Sequence, residues 1–315
     1  MKYINGFTFR LEHSKRHGFA DKETREALKT LKESTACDTV ILAIGALQDT
    51  PHSEMIDYTG AFIPTDEELT EIIRYIKEEL GLRVVLKPML NCRNHEWRAF
   101  INFFDLEVPC EPKWSKWFQS YSEYLLHYAQ IAESMNCEML IIGCELVMTE
   151  RKEEYWRALI KELRSIYTGL LTYNTDKYQE TEVKWWDALD VISSSGYYPQ
   201  SRWEENLDRI EKVVKKYNKP FFFAECGCMC RIGCNEVPND WTYQGETDMQ
   251  VQADYYKAMF ELCSKRDWIN GFVCWDWVSN YMEHQIDNNA YSVYKKPACD
   301  IIRNFYCENQ AGRQI

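Results

Sequence analysis

Short apolar segments alternate with longer amphipathic ones along the whole chain, and this alternation constrains the fold more than any other sequence feature. The apolar segments predict eight strands at Ile4–Phe9, Asp38–Ile44, Leu82–Met89, Glu138–Cys144, Gly169–Tyr173, Asp190–Gly196, Lys219–Ala224 and Gly271–Trp275. A helix is predicted after each strand, although the fifth is followed by a loop and a short tryptophan-rich turn. Eight such units of about 40 residues favour a closed parallel barrel over an open sheet. We therefore predict a single-domain (β/α)8 barrel, an α/β fold, over residues 1–315.

A doubly wound open sheet is the main alternative to the barrel. Such sheets commonly carry G-x-G-x-x-G or a Walker loop after a strand, and the chain has neither after its first strand. Thr65 with Glu68 three residues later forms a predicted capping box at the start of one helix. Three long loops are also predicted, at Gly45–Pro64, Leu90–Lys113 and Cys226–Glu246.

Composition excludes several classes of partner. The formal net charge is −12, which makes phosphate backbones poor partners, so no nucleic acid is expected. No run of about 18 apolar residues is present, and no membrane span is expected. The N-terminus lacks the apolar core of a secretory signal, and the 13 cysteines are an odd number scattered along the chain. This pattern indicates free thiols in a reducing, cytoplasmic compartment.

Polar and aromatic residues follow the apolar core of several predicted strands. In a parallel barrel these strand ends converge on one cavity. The residues concerned are Lys87, Glu145, Asn174, Tyr197, Tyr198, Glu225, Trp275 and Trp277. Each has a simpler explanation when taken alone, because a glutamate after a strand is more often a cap or an ion-pair partner, and an aromatic residue is often core. Two glutamates on the fourth and seventh strands of eight favour the catalytic interpretation.

Paired carboxyl groups beside aromatic rings are typical of glycoside hydrolysis. One carboxyl protonates the leaving oxygen, and the other attacks the anomeric carbon or activates a water. Glu145 and Glu225 should face each other across a narrow barrel mouth. That arrangement favours the retaining geometry, with a separation of about 5–5.5 Å. Mutual repulsion would keep one carboxyl ionised and the other protonated.

A cysteine-rich segment follows Glu225 directly. Its spacing, with Cys226, Cys228, Cys230 and Cys234, would be compatible with zinc or an iron–sulfur cluster. It lacks paired C-x2-C units, and the six histidines of the chain share no metal-binding spacing. We expect free thiols, no metal and no cofactor. The absence of G-x-S-x-G removes the usual α/β-hydrolase interpretation.

The order of these pieces resembles glycoside hydrolase family 113, the β-mannanases of clan A. The resemblance is carried by IPTDEEL (63–69), GLRVVLKPML (81–90), EWRAFI (96–101), WFQSYSEYLLHYAQIAE (117–133), IIGCEL (141–146), YTGLLTYN (167–174), WWDALDVI (185–192), GYYP (196–199), PFFFAECG (220–227), NDW (239–241), QADYYKAM (252–259) and GFVCWDW (271–277). Two departures stand out: Cys144 replaces the asparagine that most of the clan has before the acid/base, and the loop after Glu225 is rich in cysteine instead of aromatic residues.

The resemblance implies specific roles. Glu145 is similar to the general acid/base, Glu225 to the nucleophile, and Tyr197 to the tyrosine that orients the nucleophile. Trp275 resembles the aromatic platform under the sugar at the cleavage point. Four further residues are expected to line subsites: Lys87, Asn174, Tyr198 and Trp277.

The function expected from the resemblance is retaining hydrolysis of β-1,4-mannosidic bonds. Manno-oligosaccharides are the expected substrates, and the three long loops would close one end of the cleft and favour trimming from chain ends. Two alternatives stay open at this point: another β-glycosidase specificity of clan A, such as β-glucanase or β-glucosidase activity, and a sugar-binding pseudoenzyme.

Overall fold

The structure is a computed structural model that describes residues 1–10, 19–60, 63–279 and 290–311. Eight parallel strands close into a barrel in chain order. They are β1 Ile4–Arg10, β2 Thr39–Gln48, β3 Arg83–Cys92, β4 Met139–Cys144, β5 Leu170–Thr175, β6 Ile192–Gly196, β7 Phe221–Cys226 and β8 Ile269–Val278. The α-helices of the described residues are α1 Lys22–Thr35, α2 Asp66–Arg74, α3 Trp114–Ser134, α4 Glu153–Arg164, α5 Trp203–Tyr217, α6 Met249–Cys263 and α7 Pro297–Ala311. The predicted single-domain (β/α)8 barrel is confirmed.

A short 3-10 turn, Trp186–Ala188, connects β5 to β6 where other units carry an α-helix. Trp185 and Trp186 are fully buried there. Trp185 stacks on Trp156 of α4, with ring centroids 4.7 Å apart. Two large indoles therefore cover this part of the barrel in place of a helix, as the tryptophan-rich turn predicts.

β2 and β3 extend beyond the predicted strand ends. Their pairing continues in unbroken register from Thr39 opposite Arg83 to Gln48 opposite Cys92. Each strand satisfies the backbone hydrogen bonds of the other above the barrel, so neither has to end at its last apolar residue. The loops predicted to begin at Gly45 and Leu90 consequently begin later, after Gln48 and Cys92.

The start of α2 has the predicted capping box. Glu68 donates its backbone N–H to Thr65 Oγ1 at 3.2 Å, and Thr65 donates its N–H to Glu68 Oε2 at 3.0 Å. Two N–H groups that the helix itself leaves unsatisfied thereby gain partners. The helical segment continues as a π-helical turn, Tyr75–Glu79, and ends before Gly81, whose φ of +64° lies in the left-handed region.

Apolar side chains form two layers, one inside the barrel and one between the strands and the helices. The inner layer consists of Ile4, Ile41, Val85, Met139, Ile141, Val191, Phe222, Ala224 and Val273. Neighbouring residues on the same strands, such as Phe221 and Phe223, belong to the outer layer. This alternation follows from the two-residue period of a strand. None of the helices in the described part of the chain has the length and apolarity needed to span a bilayer.

Candidate active site

An irregularity in β7 directs Glu225 into the barrel. Ser194 of β6 pairs with Phe223, but the next residue, Ser195, pairs with Glu225, so Ala224 is an extra residue in β7. Ala224 lies in the inner layer, and strict alternation would send the next side chain outward to the helices. The bulge cancels that alternation, and Glu225 hydrogen-bonds with groups inside the barrel mouth.

A second irregularity, in β4, prepares the position of Glu145. Ile141 pairs with Thr172 and Cys144 with Asn174, so β4 has one residue more than β5 over this interval. Gly143 lies within it, and a Cβ atom there would be 2.8 Å from the ring of Tyr173. Cys144 therefore faces the barrel mouth, and Glu145 follows with a φ of +52°. A left-handed backbone at a non-glycine residue stores strain and is typical of functional sites.

Glu225 is buried and has a donor at each carboxylate oxygen. Lys87 donates to Oε1, and the Cys144 thiol lies 3.3 Å from the same atom. Tyr197 donates its hydroxyl to Oε2 at 2.9 Å. Lys87 is wholly inaccessible to solvent and also donates to Asn174 Oδ1 at 2.7 Å. These contacts bring together Glu225, Tyr197, Lys87 and Asn174, all of which the sequence predicts as site residues.

The charges around Glu225 favour its ionised form. Burial by itself would raise the pKa of its carboxyl, but the nearby cations Lys87 and Arg98 and the hydrogen bonds from Lys87 and Tyr197 outweigh burial and lower it. Burial acts to lower the pKa of Lys87, yet its anionic neighbours, including Glu225, hold it above its usual value. Burial raises the pKa of the Cys144 thiol, so this group stays protonated and can donate. The site therefore holds Glu225 as a carboxylate against an ammonium.

Glu145 is held by a different pair of groups. Arg98, in the 3-10 turn Arg98–Phe100 after β3, donates Nη2 to Glu145 Oε2 at 2.8 Å. Ser195 of β6 donates its hydroxyl to Oε1 at 2.7 Å. Arg98 also donates Nε to the carbonyl oxygen of Cys144 at 2.8 Å. The two glutamates thus have separate sets of partners, one set for each carboxyl group.

Arg98 and Ser195 are site residues that the sequence reasoning missed. Arg98 lies inside EWRAFI, one of the segments that carry the family resemblance. Its place in that segment is the feature of the sequence that could have indicated a role in the site. Ser195 lies in an unremarkable run of three serines. Ser194 and Ser195 point to opposite faces of β6, because side chains alternate along a strand. Ser194 donates its hydroxyl outward to Glu180 at 2.7 Å.

Asn174 links the two halves of the site. Its Oδ1 accepts from Lys87, and its Nδ2 donates to Ser195 Oγ at 3.0 Å. Its backbone carbonyl accepts the N–H of Glu145 at 2.8 Å. A chain of hydrogen bonds through Lys87, Asn174 and Ser195 therefore connects the carboxyl group of Glu225 to that of Glu145.

Trp275 of β8 lies at the mouth beside these groups. It packs against Ala43, Met89 and Cys144, and it is partly exposed. The Lys87 ammonium lies 5.9 Å and the Arg10 guanidinium 5.8 Å from its ring centroid. A cis peptide bond joins Trp275 to Asp276. A partly exposed indole ring close to the Lys87–Glu225 pair is suited to contact with a sugar face.

Two predicted subsite residues lie elsewhere. Tyr198 belongs to the outer layer and donates its hydroxyl to Glu180. It follows inward-facing Tyr197 by one residue, so alternation turns it toward the helices. Trp277 is also in the outer layer, packed against Phe7 and Tyr294. Strict alternation along β8 would put Trp277 on the same face as Trp275, two residues earlier.

A register shift explains the position of Trp277. Phe7 of β1 pairs with Cys274 of β8, and Phe9 of β1 pairs with Trp277 of β8. The chain thus advances two residues along β1 but three along β8. The extra residue in β8 reverses the alternation between Trp275 and Trp277. The structure therefore places both Tyr198 and Trp277 in the barrel wall, apart from the groups gathered around Glu145 and Glu225.

The cysteines after Glu225 have separate surroundings. Cys226 lies in the outer layer, with its thiol 3.4 Å from the carbonyl of Val273, whereas the Cys230 thiol lies 3.3 Å from Lys296 Nζ. None of the 13 cysteines forms a disulfide bond. Across the described ranges, no three or more His, Cys, Asp or Glu side chains are grouped so that they could hold a metal ion.

Comparison with known proteins agrees with this geometry. The model of Glycoside Hydrolase Family 113 matches residues 7–296. A solved structure described as a complex of a GH113 β-1,4-mannanase is 51% identical and has a TM-score of 0.94. The alignment covers 98% of this chain and 99% of that one. The GH113 β-mannanase AaManA from Alicyclobacillus acidocaldarius, in complex with ManMIm, is 33% identical with a TM-score of 0.91, and 98% of each chain is covered.

More distant structures share the fold alone. A β-glucuronidase from Ruminococcus gnavus is 14% identical with a TM-score of 0.66, and the alignment covers 97% of this chain but 50% of that one. No curated protein matches the sequence significantly.

Proposed function

The chain belongs to glycoside hydrolase family 113, and from this membership we propose that it hydrolyses β-1,4-mannosidic bonds with retention of the anomeric configuration. It is a glycosidase. The observation that carries the proposal is the pair of carboxyl groups at the ends of β4 and β7, each with its own hydrogen-bond partners. The barrel itself is the catalytic domain.

Glu225 acts as the nucleophile in the first step. Its carboxylate attacks the anomeric carbon and forms a covalent glycosyl-enzyme, while Glu145 gives a proton to the departing oxygen. The lowered pKa of Glu225 supports this role, because the carboxylate must be ionised to attack. The hydrogen bond from Tyr197 to Oε2 fixes the orientation of the carboxylate plane.

Glu145 acts as the general base in the second step. It removes a proton from a water that attacks the same carbon, and the sugar is released with its original configuration. Ser195 and Arg98 position Glu145 through both of its oxygens. Trp275 stacks on the sugar at the cleavage point, and Lys87 and Asn174 contact that sugar or orient the nucleophile.

Manno-oligosaccharides are the proposed substrates, and the cytoplasm is the proposed compartment. Thirteen free thiols support a reducing environment, in which polymeric mannan would be absent and imported fragments would be available. In this proposal, the long segments after β2, β3 and β7 would close one end of the cleft and favour trimming from chain ends. Uniform internal cleavage of end-blocked mannan would contradict this last point.

The stereochemistry of the first product tests the mechanism. Proton NMR of mannotriose hydrolysis at early times should show the β-anomer, whereas initial release of the α-anomer would overturn retention. A 2-deoxy-2-fluoro mannosyl fluoride should label Glu225, and peptide mass spectrometry would locate the label. Labelling elsewhere would remove Glu225 from the nucleophile role.

Two variants separate the proposed activity from its alternatives. Glu225→Ala should lower kcat on the order of 10⁴-fold or more. Glu145→Ala should lose most activity and recover part of it with azide and an activated aryl mannoside, because azide replaces the water without needing a base. Turnover of cellotriose but not mannotriose would indicate a β-glucosidic specificity. Tight sugar binding without turnover of either would indicate a pseudoenzyme.

A further inference from the structure

A charged pair beside the site has no role in the proposed mechanism. Asp176 and Lys177 directly follow β5, and their side chains are only 12% and 14% exposed. Lys177 Nζ lies 3.9 Å from Asp176 Oδ1, which is farther than a direct hydrogen bond. Over the described residues, the Lys177 ammonium makes no hydrogen bond to protein. Burying such a pair is costly unless another partner completes it.

The end of β5 places Asp176 at the barrel mouth. Asn174 faces inward to Lys87 and Ser195, and Thr175 faces outward, where its hydroxyl donates to Glu150 at 2.7 Å. Asp176 is the first residue after β5, and it lies where the carboxyl ends of the strands converge. With a strand rise of about 3.3 Å per residue, it lies about two residues above Asn174 toward solvent.

Asp176 lies on the side of Glu145. The backbone of Asn174, two residues earlier, accepts the N–H of Glu145. After burial, the charge of Glu145 is the largest cause that raises the pKa of Asp176, to about 7. In the proposed mechanism, Glu145 protonates the glycosidic oxygen of the leaving sugar. Asp176 lies close to Glu145 and farther toward solvent than Asn174, so it faces that sugar.

We infer that Asp176 and Lys177 bind hydroxyl groups of the leaving sugar, the ring on the reducing-end side of the cleaved bond. This inference rests on the proposed function. A carboxylate accepts from a sugar hydroxyl and an ammonium donates to one, so the 3.9 Å gap suits a hydroxyl that bridges the two. Lys177 is held 5.7 Å from the ring centroid of Tyr178, a residue with a left-handed φ of +70°.

Two substrates that differ only in the leaving group test the inference. Cleavage of mannobiose releases a sugar as the leaving group. Cleavage of β-mannosyl fluoride releases fluoride, which does not occupy the leaving-sugar position. Asp176→Ala should lower the ratio of kcat/KM for mannobiose to that for the fluoride by about 10- to 100-fold, the loss typical of a charged hydrogen bond. Lys177→Met should lower the same ratio and serves as an independent variant if Asp176→Ala folds poorly.

Transfer of mannose to an acceptor sugar gives a second readout, because the acceptor occupies the same position. In Asp176→Ala, transfer from mannosyl fluoride to added mannose should fall relative to hydrolysis. Asp187→Ala is the matched control: this aspartate lies in the same connection, is 58% exposed and pairs with Arg157. It should change neither ratio.

The outcomes separate the two proposals. Equal losses on both substrates in Asp176→Ala and Lys177→Met, or an unchanged ratio in both, would overturn the leaving-sugar site. A wild-type protein that hydrolyses neither mannobiose nor mannosyl fluoride would instead overturn the proposed function.

Discussion

Glu150, a buried carboxyl group next to the site, should make the stability of the protein depend strongly on pH. It is only 2% exposed. Its Oε1 accepts from Tyr173 at 2.9 Å and from Thr175 at 2.7 Å, whereas Oε2 has no hydrogen-bond partner among the described residues. Burial raises its pKa from 4.5 to about 8. The charges of Asp176 and Glu180 add to this effect, and the two hydrogen bonds oppose it.

The sign and size of the effect follow from proton linkage. Because the pKa is raised on folding, the folded state binds more protons than the unfolded state between pH 4.5 and about 8, and stability falls as pH rises through that window. The pKa difference is 8 − 4.5 = 3.5, and each unit corresponds to about 1.4 kcal/mol. Between pH 5 and pH 9, the free energy of unfolding of Glu150→Gln should therefore rise relative to that of the wild type by up to about 5 kcal/mol.

Thermal unfolding from pH 5 to pH 9 measures this gain. At about 2 °C per kcal/mol for a chain of this size, the Tm of Glu150→Gln should rise relative to wild type by up to about 10 °C across the range. The amide keeps an acceptor for Tyr173 and Thr175 and cannot ionise. Glu154→Gln, at an exposed position on α4, is the control and should follow the wild-type curve. Parallel curves for wild type and Glu150→Gln would refute the reasoning.

Three further variants probe the site and its support. Tyr197→Phe removes one hydrogen bond to the Glu225 carboxylate and should lower kcat by about 10- to 100-fold with little change in KM, measured on mannotriose; an unchanged kcat would mean that Tyr197 does not orient the nucleophile. Lys87→Met removes a cation that lowers the pKa of Glu225, so the acidic limb of the kcat/KM profile should move to higher pH, and a limb that stays in place would contradict this electrostatic role. Gly143→Ala would place a Cβ atom 2.8 Å from the Tyr173 ring and should cost about 1–3 kcal/mol, seen as a lower Tm; equal stability would show that the ring can move aside.

Much of the fold was accessible from sequence because it depends on local patterns. The apolar segments, the capping box at Thr65 and the tryptophan-rich turn each reflect interactions among residues close in the chain, and the structure has all of them. The predicted loops began too early where β2 and β3 support each other. The two strands are about 44 residues apart in the sequence. A pattern read over a few neighbouring residues therefore cannot predict their pairing.

The sequence by itself determined which polar side chains follow the apolar cores of the strands, among them Glu145, Glu225 and Lys87, and a closed parallel barrel brings these positions together. Only the tertiary structure decided which of those side chains face the cavity. Bulges in β4, β7 and β8 each add one residue, which turns Cys144 and Glu225 inward and Trp277 outward. The physical reason is that a strand has a period of two. One extra residue therefore reverses every side chain beyond it, and the neighbouring strand fixes where that residue is placed.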